Sequence, residues 1–131
     1  MISVIIPVHN VPVRTQEIHS MTRTCLKTLQ ETAVDGSYEL ILFDNGSQDD
    51  GMTVGMFLEE AFTAKVIRSE ENLPISKCWN QAIREADGPF ILLLNNDIVF
   101  NRKGWMVALI DALSDSQQVG AVGSKMLGWN G

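Results

Sequence analysis

Three stretches of this chain place carboxylates, amides and hydroxyls directly after apolar runs. The most concentrated is Asn95-Asn96-Asp97, which follows Phe90-Ile91-Leu92-Leu93-Leu94. A carboxylate buried without a partner is costly, so Asp97 is expected to face solvent, a cation or a paired donor. A hard divalent ion such as Mg²⁺ or Mn²⁺ takes oxygen ligands and needs only one or two protein carboxylates when phosphates complete its shell. The second stretch, Asp44-Asn45-Gly46-Ser47, follows Tyr38 to Phe43. A carboxylate at that strand end could accept the N3–H of a pyrimidine base through a charged hydrogen bond. The third is His9-Asn10, after Ile2 to Val8. Asn, Asp and Ser are also ordinary turn formers, and Asp44 could equally cap the turn it opens, with Ser47 completing it. The coincidence of three such ends favours a site over three unrelated turns.

The elements that must position these groups can be read from periodicity. Ile2 to Val8 and Phe90 to Leu94 are nearly continuous apolar runs, predicting strands buried on both faces. Pro7 cannot donate to a ladder and is expected to end the first strand. Ile18, Met21, Cys25, Leu26 and Leu29 recur at helical spacing and predict a helix over 16–32, closed by Asp35-Gly36-Ser37. A short helix over 52–61 is weakened by Gly55. Lys65 to Arg68 reads as a strand, Leu73 to Ala86 as a helix with Pro74 in its first turn, and Gly104 to Leu113 as another helix. Val119 to Gly123 reads as a fifth strand. The alternating order predicts an α/β fold, a parallel, helix-covered sheet with right-handed crossovers. Ligands bind such sheets beyond the carboxyl ends of the strands. Lys77, one turn into a helix, could offset diphosphate charge or merely be solvated, and Asn72 and Asn80 could cap or crosslink loops.

At 131 residues the chain is expected to be one domain, 1–131, with a substantial core. Ten Lys and Arg against sixteen Asp and Glu give a net charge of −6, which disfavours nucleic acid as a partner. The 45% hydrophobic and 20% charged content is that of a globular chain. No apolar run approaches transmembrane length and no leader pattern precedes the first strand, so a cytoplasmic location is expected. Cys25 and Cys78 lack the paired spacing of a zinc site and are expected to be reduced core thiols. A glycine-rich dinucleotide fingerprint, a Walker loop and a Gly-x-Ser-x-Gly elbow are all absent, which argues against the corresponding enzyme classes.

Ser3-Val4-Ile5-Ile6-Pro7-Val8-His9-Asn10, Cys25-Leu26-Lys27-Thr28-Leu29 and Glu39 to Asp49 resemble the opening of family 2 glycosyltransferases. The likeness continues through Glu71-Asn72-Leu73-Pro74, Asn80-Gln81-Ala82-Ile83, Ala86-Asp87-Gly88, Leu92 to Asp97 and Val119 to Lys125. Ordered motifs thus cover nearly the whole chain. The Asp-Asn-Gly-Ser and Asn-x-Asp variants are similar to the rhamnosyltransferase-like branch, which implies a UDP- or dTDP-sugar. Departures are Pro74 and Ala82, where glycine is common, and a longer stretch between Asn10 and Cys25.

The resemblance implies a GT-A, Rossmann-like fold, a nucleotide-sugar donor and a glycan or other hydroxyl acceptor. It implies that Pro7, Val8, His9, Asn10, Asp44, Asn45, Ser47, Asn72, Lys77, Asn95 and Asn96 line the donor nucleotide. Asp97 would ligate Mn²⁺ or Mg²⁺. In the family an acceptor half with the catalytic base follows, so this chain is expected to be the donor half, ending after about five strands. No catalytic base is assigned, and little transfer is expected from the chain alone. The alternative is a non-catalytic nucleotide-binding or assembly module. Apolar residues from Val119 to Trp129 lead to an expectation of self-association.

Overall fold

The computed structural model describes residues 1–34, 37–61 and 63–124. Four strands, β1 (Ile2–Val8), β2 (Tyr38–Asn45), β3 (Lys65–Ser69) and β4 (Phe90–Leu93), form one sheet in the order β3-β2-β1-β4. Every pairing is parallel, with Val4 opposite both Leu40 and Leu92, and Asp44 opposite Arg68. The helices are α1 (Thr15–Thr32), α2 (Met52–Glu60), α3 (Ile75–Arg84) and α4 (Trp105–Ser114), and a 3₁₀ turn at Pro12–Arg14 precedes α1. No described helix is long and apolar enough to cross a membrane.

The period of two in the strands divides the core between the two faces. Ile2, Val4, Ile6, Val8, Leu40 and Leu42 pack against Ile18, Cys25, Leu26 and Leu29 of α1, Met56 and Phe57 of α2 and Met106 of α4. Ile5, Ile41 and Phe43 turn the other way onto Cys78 and Ala82 of α3. Those two α3 residues are fully buried and one turn apart, so their small side chains bring the helix close to the sheet. This gives Ala82 a packing role against the sheet.

Three expectations need correction. Val119–Gly123 forms no strand, so the sheet has four described strands rather than five. β4 is not buried on both faces: it is an outer strand, and Ile91 and Leu93 on the α3 side are 40% and 42% exposed. An apolar run reports a preference for burial but not which neighbour supplies it, and α3 sits over β1 and β2. Pro7 does not end β1, which runs on to Val8. The Ile5 carbonyl accepts from Leu94 N at 3.0 Å, so Pro7, two residues on, directs its missing donor to the same side, beyond the last β4 pairing. The stretch between Asn10 and Cys25 is mostly helix, since α1 starts at Thr15. Asp35-Gly36, Lys125 and the apolar residues Met126, Leu127 and Trp129 lie outside the described residues.

The amino edge of the sheet is held by Glu39. Its Oε1 accepts from Ser3 Oγ, from Asp87 N at 2.6 Å and from Gly88 N at 3.1 Å, and Lys65 Nζ lies 3.1 Å from Oε2. A Cβ on Gly88 would meet Ser3 Oγ at 2.7 Å, which is why the turn into β4 carries glycine. Burial opposes the Glu39 charge, but these donors outweigh it and hold the carboxyl at about 2. A depressed carboxyl pKa stabilises the fold fully above the unfolded value near 4.5, and that stabilisation is lost as pH falls toward 2. Glu39→Gln is therefore expected to lower the urea midpoint at pH 7 and to flatten its decline between pH 5 and 2.5. An unchanged acid profile would show that Glu39 carries none of the linkage.

Candidate functional site

Because β2, β1 and β4 are neighbours and parallel, their carboxyl ends meet at one edge. The three polar ends singled out from the sequence therefore share a rim. Most of it is knit together through the end of β2 and the loop that follows, where Asp44, Asn45, Ser47 and Asp49 are all buried.

The loop after β1 is fastened to it at several points. His9 Nδ1 lies 2.9 Å from the Asn45 carbonyl oxygen. A carbonyl only accepts, so Nδ1 carries the hydrogen and a neutral ring keeps Nε2 as its acceptor. Asn10 N donates to Ser47 Oγ at 3.0 Å, and Gln48 N donates to the Asn10 carbonyl at 2.9 Å. The Asn10 side chain is wholly buried and donates to Asp49 Oδ2 at 2.8 Å and to Thr15 Oγ1 at 2.9 Å. Asp49 Oδ2 also accepts from Thr53 N at 3.1 Å and Thr53 Oγ1 at 2.5 Å, so this carboxylate caps the first turn of α2. Burial pushes the Asp49 carboxyl up, but the donors Asn10 and Thr53 prevail and hold it below the usual range. Since Thr53 spends its hydroxyl proton on Asp49, His19 Nε2, 3.1 Å from Thr53 Oγ1, must be the donor in that contact.

The loop after β3 is fastened by Asn45. Its Nδ2 donates to Leu73 O and Asn72 Oδ1, both at 2.9 Å, and its Oδ1 accepts from Leu73 N at 2.8 Å. The side-chain amide thus pairs with a peptide unit as a strand would, and a carboxylate at 45 could not supply the donors. Gly46 has φ +66° and lies so close to this loop that a Cβ would stand 2.4 Å from the Glu71 carbonyl carbon. Both the left-handed backbone and the contact exclude a side chain. Gly46→Ala is expected to destabilise the fold by more than about 1 kcal/mol, read as a lower thermal midpoint. A midpoint within a degree of wild type would mean the two loops separate freely.

Asp44 is fully buried: Oδ1 accepts from Ser47 N at 3.1 Å and Oδ2 from Arg68 Nη1 at 2.7 Å. The capping arrangement weighed from the sequence is present, together with an ion pair the sequence reading did not anticipate. A visible signal is the pair of opposite charges at the ends of two strands, but it has meaning only once β3 is known to lie beside β2. Asp49, Thr53 and His19 were likewise missed as a brace, because a loop carboxylate, an α2 hydroxyl and an α1 imidazole meet only once the fold brings those elements together.

Pro7 and Val8 lie within buried β1, where the Val8 side chain joins the core beneath α1 and α2, leaving their backbone as the part nearest the rim. Asn72 and Lys77 are exposed, Lys77 on the first turn of α3. Asn95 and Asp97 are exposed at the end of β4. Asn96 Nδ2 donates to Thr22 Oγ1 at 3.0 Å, and Cys25 Sγ lies 3.7 Å from the Asn95 carbonyl. The structure thus joins His9, Asn10, Asp44, Asn45, Ser47 and Asn72 in one network, while Asn95, Asn96 and Asp97 approach the rim from α1. Among the described residues no group of three or more His, Cys, Asp or Glu gathers as a metal cage. The exposed Asp97 carboxylate beside two amides is a hard oxygen set, which fits a divalent ion that draws the rest of its shell from phosphate and water.

A parallel, helix-covered sheet with this polar carboxyl rim is a Rossmann-like α/β domain. Residues 3–127 match glycosyl transferase family 2, and the chain belongs to that family. It is 26% identical over 128 residues to the uncharacterized protein y4gI of Sinorhizobium fredii (strain NBRC 101917 / NGR234), covering 96% of this chain and 13% of that protein. It is 30% identical over 97 residues to the uncharacterized glycosyltransferase YfnE of Bacillus subtilis (strain 168), covering 74% of this chain and 23% of that protein. The chain thus spans less than a quarter of either relative. Among solved structures, S. aureus TarS 1-349 in complex with UDP-GlcNAc superposes with a TM-score of 0.66 at 21% identity, over 87% of this chain and 31% of that one. The same protein in complex with UDP gives 0.64 at 23% identity, over 86% and 32%.

Proposed function

We propose that the chain is the donor-binding part of a glycosyltransferase that uses a UDP- or dTDP-sugar. The observation that carries this reading is the adjacency of the β1, β2 and β4 ends, which brings His9, Asp44 and the Asn95–Asp97 triplet to one rim. Family membership and the likeness to TarS bound to UDP and UDP-GlcNAc support it. Asp44 accepts the N3–H of the base; because the carboxylate is fully buried, the base reaches it where the half-exposed Arg68 side chain gives way. His9 offers Nε2 to the nucleotide, and the amides of Asn72 and Asn95 offer further polar contacts. Lys77 stands on the rim as a counter-charge for the diphosphate, which a chain of net charge −6 would otherwise repel. Asp97, with Asn95 and Asn96, holds Mn²⁺ or Mg²⁺. When bound, that ion stabilises the charge that develops on the departing nucleoside diphosphate. These residues bind the donor and favour departure of its leaving group; none is assigned as the base that deprotonates a hydroxyl acceptor.

Calorimetric titration with UDP, dTDP and GDP, with and without Mn²⁺, tests this. UDP or dTDP is expected to bind, more tightly with Mn²⁺, and GDP more weakly. No binding of any of the three overturns the reading. A second reading, an assembly role through a second copy of the chain, draws on the outer position of β4 and the exposure of Ile91 and Leu93. A monomer at tens of micromolar by sedimentation velocity would remove it.

A further inference from the structure

One face of α1 carries Thr22, Cys25, Thr28 and Thr32, separated by three, three and four residues, so they form a row along the helix. Each hydroxyl of the row donates to its own helix: Thr22 to the Ile18 carbonyl at 2.7 Å, Thr28 to Thr24 at 2.8 Å and Thr32 to Thr28 at 2.7 Å. A hydroxyl has one proton and two lone pairs. With its proton committed, each threonine is left as an acceptor, and each accepts from the segment that follows β4. Thr22 takes Asn96 Nδ2 at 3.0 Å, Thr28 takes Phe100 N at 3.1 Å and Thr32 takes Trp105 Nε1 at 3.0 Å. Cys25 fills the gap in the row with its Sγ 3.7 Å from the Asn95 carbonyl. The Cys25 side chain is fully buried, and its S–H donates to that carbonyl. Phe100 and Trp105 stack with centroids 4.4 Å apart, which closes the far end of the segment.

We infer that this hydroxyl row is a positioning device for the Asn95–Asp97 triplet, setting where Asp97 stands relative to the rim and hence how well a divalent ion and a nucleotide are held together. The reason is geometric. Asp97 lies on a turn after the last β4 pairing, where the sheet ladder no longer constrains it. The nearest fixed points are Thr22, beside Asn96, and Thr28, beside Phe100, and both belong to a helix anchored in the core through Ile18, Leu26 and Leu29. The triplet leaves the sheet at the Leu94 N to Ile5 carbonyl bond, and beyond it takes its position from α1. The inference rests on the donor-site reading for its effect on binding, but not for its effect on the segment itself.

Substitution of Thr28 by Val keeps the β-branched shape and removes the acceptor, whereas Ser keeps the acceptor. Thr28 is only partly buried, so neither change threatens the fold. In the 131-residue chain without metal or nucleotide, Thr28→Val is expected to speed hydrogen exchange of the Phe100 amide at least tenfold, and Thr28→Ser to leave it within twofold. Thr22→Val is expected to weaken UDP binding in the presence of Mn²⁺ at least fivefold, and Thr22→Ser to restore most of the loss. Unchanged Phe100 exchange in Thr28→Val overturns the inference. So does undiminished Mn²⁺-dependent affinity in a folded Thr22→Val. If Thr22→Val does not fold, Thr28→Val replaces it in the binding arm, with the same expected direction. If the wild-type chain binds neither UDP nor Mn²⁺, the donor-site reading fails, while the exchange measurement still decides whether the row positions the segment.

Discussion

Asp97→Ala is expected to remove Mn²⁺-dependent nucleotide binding while leaving the fold intact. The residue is exposed, follows the last residues of β4 and belongs to neither core cluster, so its loss leaves the core intact. Its oxygens are the only carboxylate in the triplet, and a hard ion with one protein carboxylate depends on it. Loss of an outer-shell partner of a metal ligand already costs about 10–100-fold in affinity, and loss of the ligand itself is expected to exceed that. Calorimetry with UDP in the presence and absence of Mn²⁺ separates the contributions. The affinity without metal should stay near wild type, and the increment from Mn²⁺ should vanish. An undiminished increment would make Asp97 a turn residue and nothing more. Asp97→Asn keeps the turn chemistry but removes the charge, so it should behave like Asp97→Ala if ligation is the role.

The second large effect is expected at Arg68. Asp44 is fully buried, and Arg68, whose side chain is 38% exposed, supplies one of its two donors. Removing one partner of a buried pair strands the other charge, at a cost of about 3–5 kcal/mol when both are buried. The partial exposure of Arg68 lets water reach the gap, so Arg68→Ala is expected to cost less, about 1–3 kcal/mol. Asp44→Asn introduced into Arg68→Ala removes the stranded charge and should recover part of that loss in chemical denaturation. If the double variant is no more stable than Arg68→Ala, the pair is not coupled. Nucleotide binding reads the same carboxylate independently. Asp44→Ala should weaken UDP or dTDP by about 1–3 kcal/mol, the range for a charged hydrogen-bond partner. Asp44→Asn, which can turn a donor toward N3–H, should be no better. Equal affinity in wild type and both variants would take Asp44 out of the base contact while leaving its structural pairing intact.

The strands and helices were largely legible in the sequence because burial imposes a period. The β-branched run at Ile2–Val8 and the spacing of Ile18, Cys25, Leu26 and Leu29 each satisfy one template and fail the other. The polar strand ends were legible too, since a polar cluster closing an apolar run needs solvent or partners; that Asn10, Asp44, Asn45 and Ser47 are buried with partners was not. What periodicity does not encode is adjacency. That β4 lies on the outside, that Val119–Gly123 adds no strand and that Arg68 meets Asp44 across a register all depend on which strand neighbours which. An apolar residue carries the same hydrophobicity beside any partner, so its side chain cannot name one.

The polar residues show the same division more sharply. Sequence by itself determined that His9, Asn10, Asp44, Asn45 and Ser47 stand at strand ends, because that follows from local pattern alone. Tertiary structure decided their work: Asn10 spends its amide on Asp49 and Thr15, Asn45 pairs with the Leu73 peptide unit, and the threonines of α1 turn their lone pairs to Asn96, Phe100 and Trp105. A hydrogen bond is directional and short, so which of several possible partners a donor takes is settled only when the fold brings one within about 3 Å.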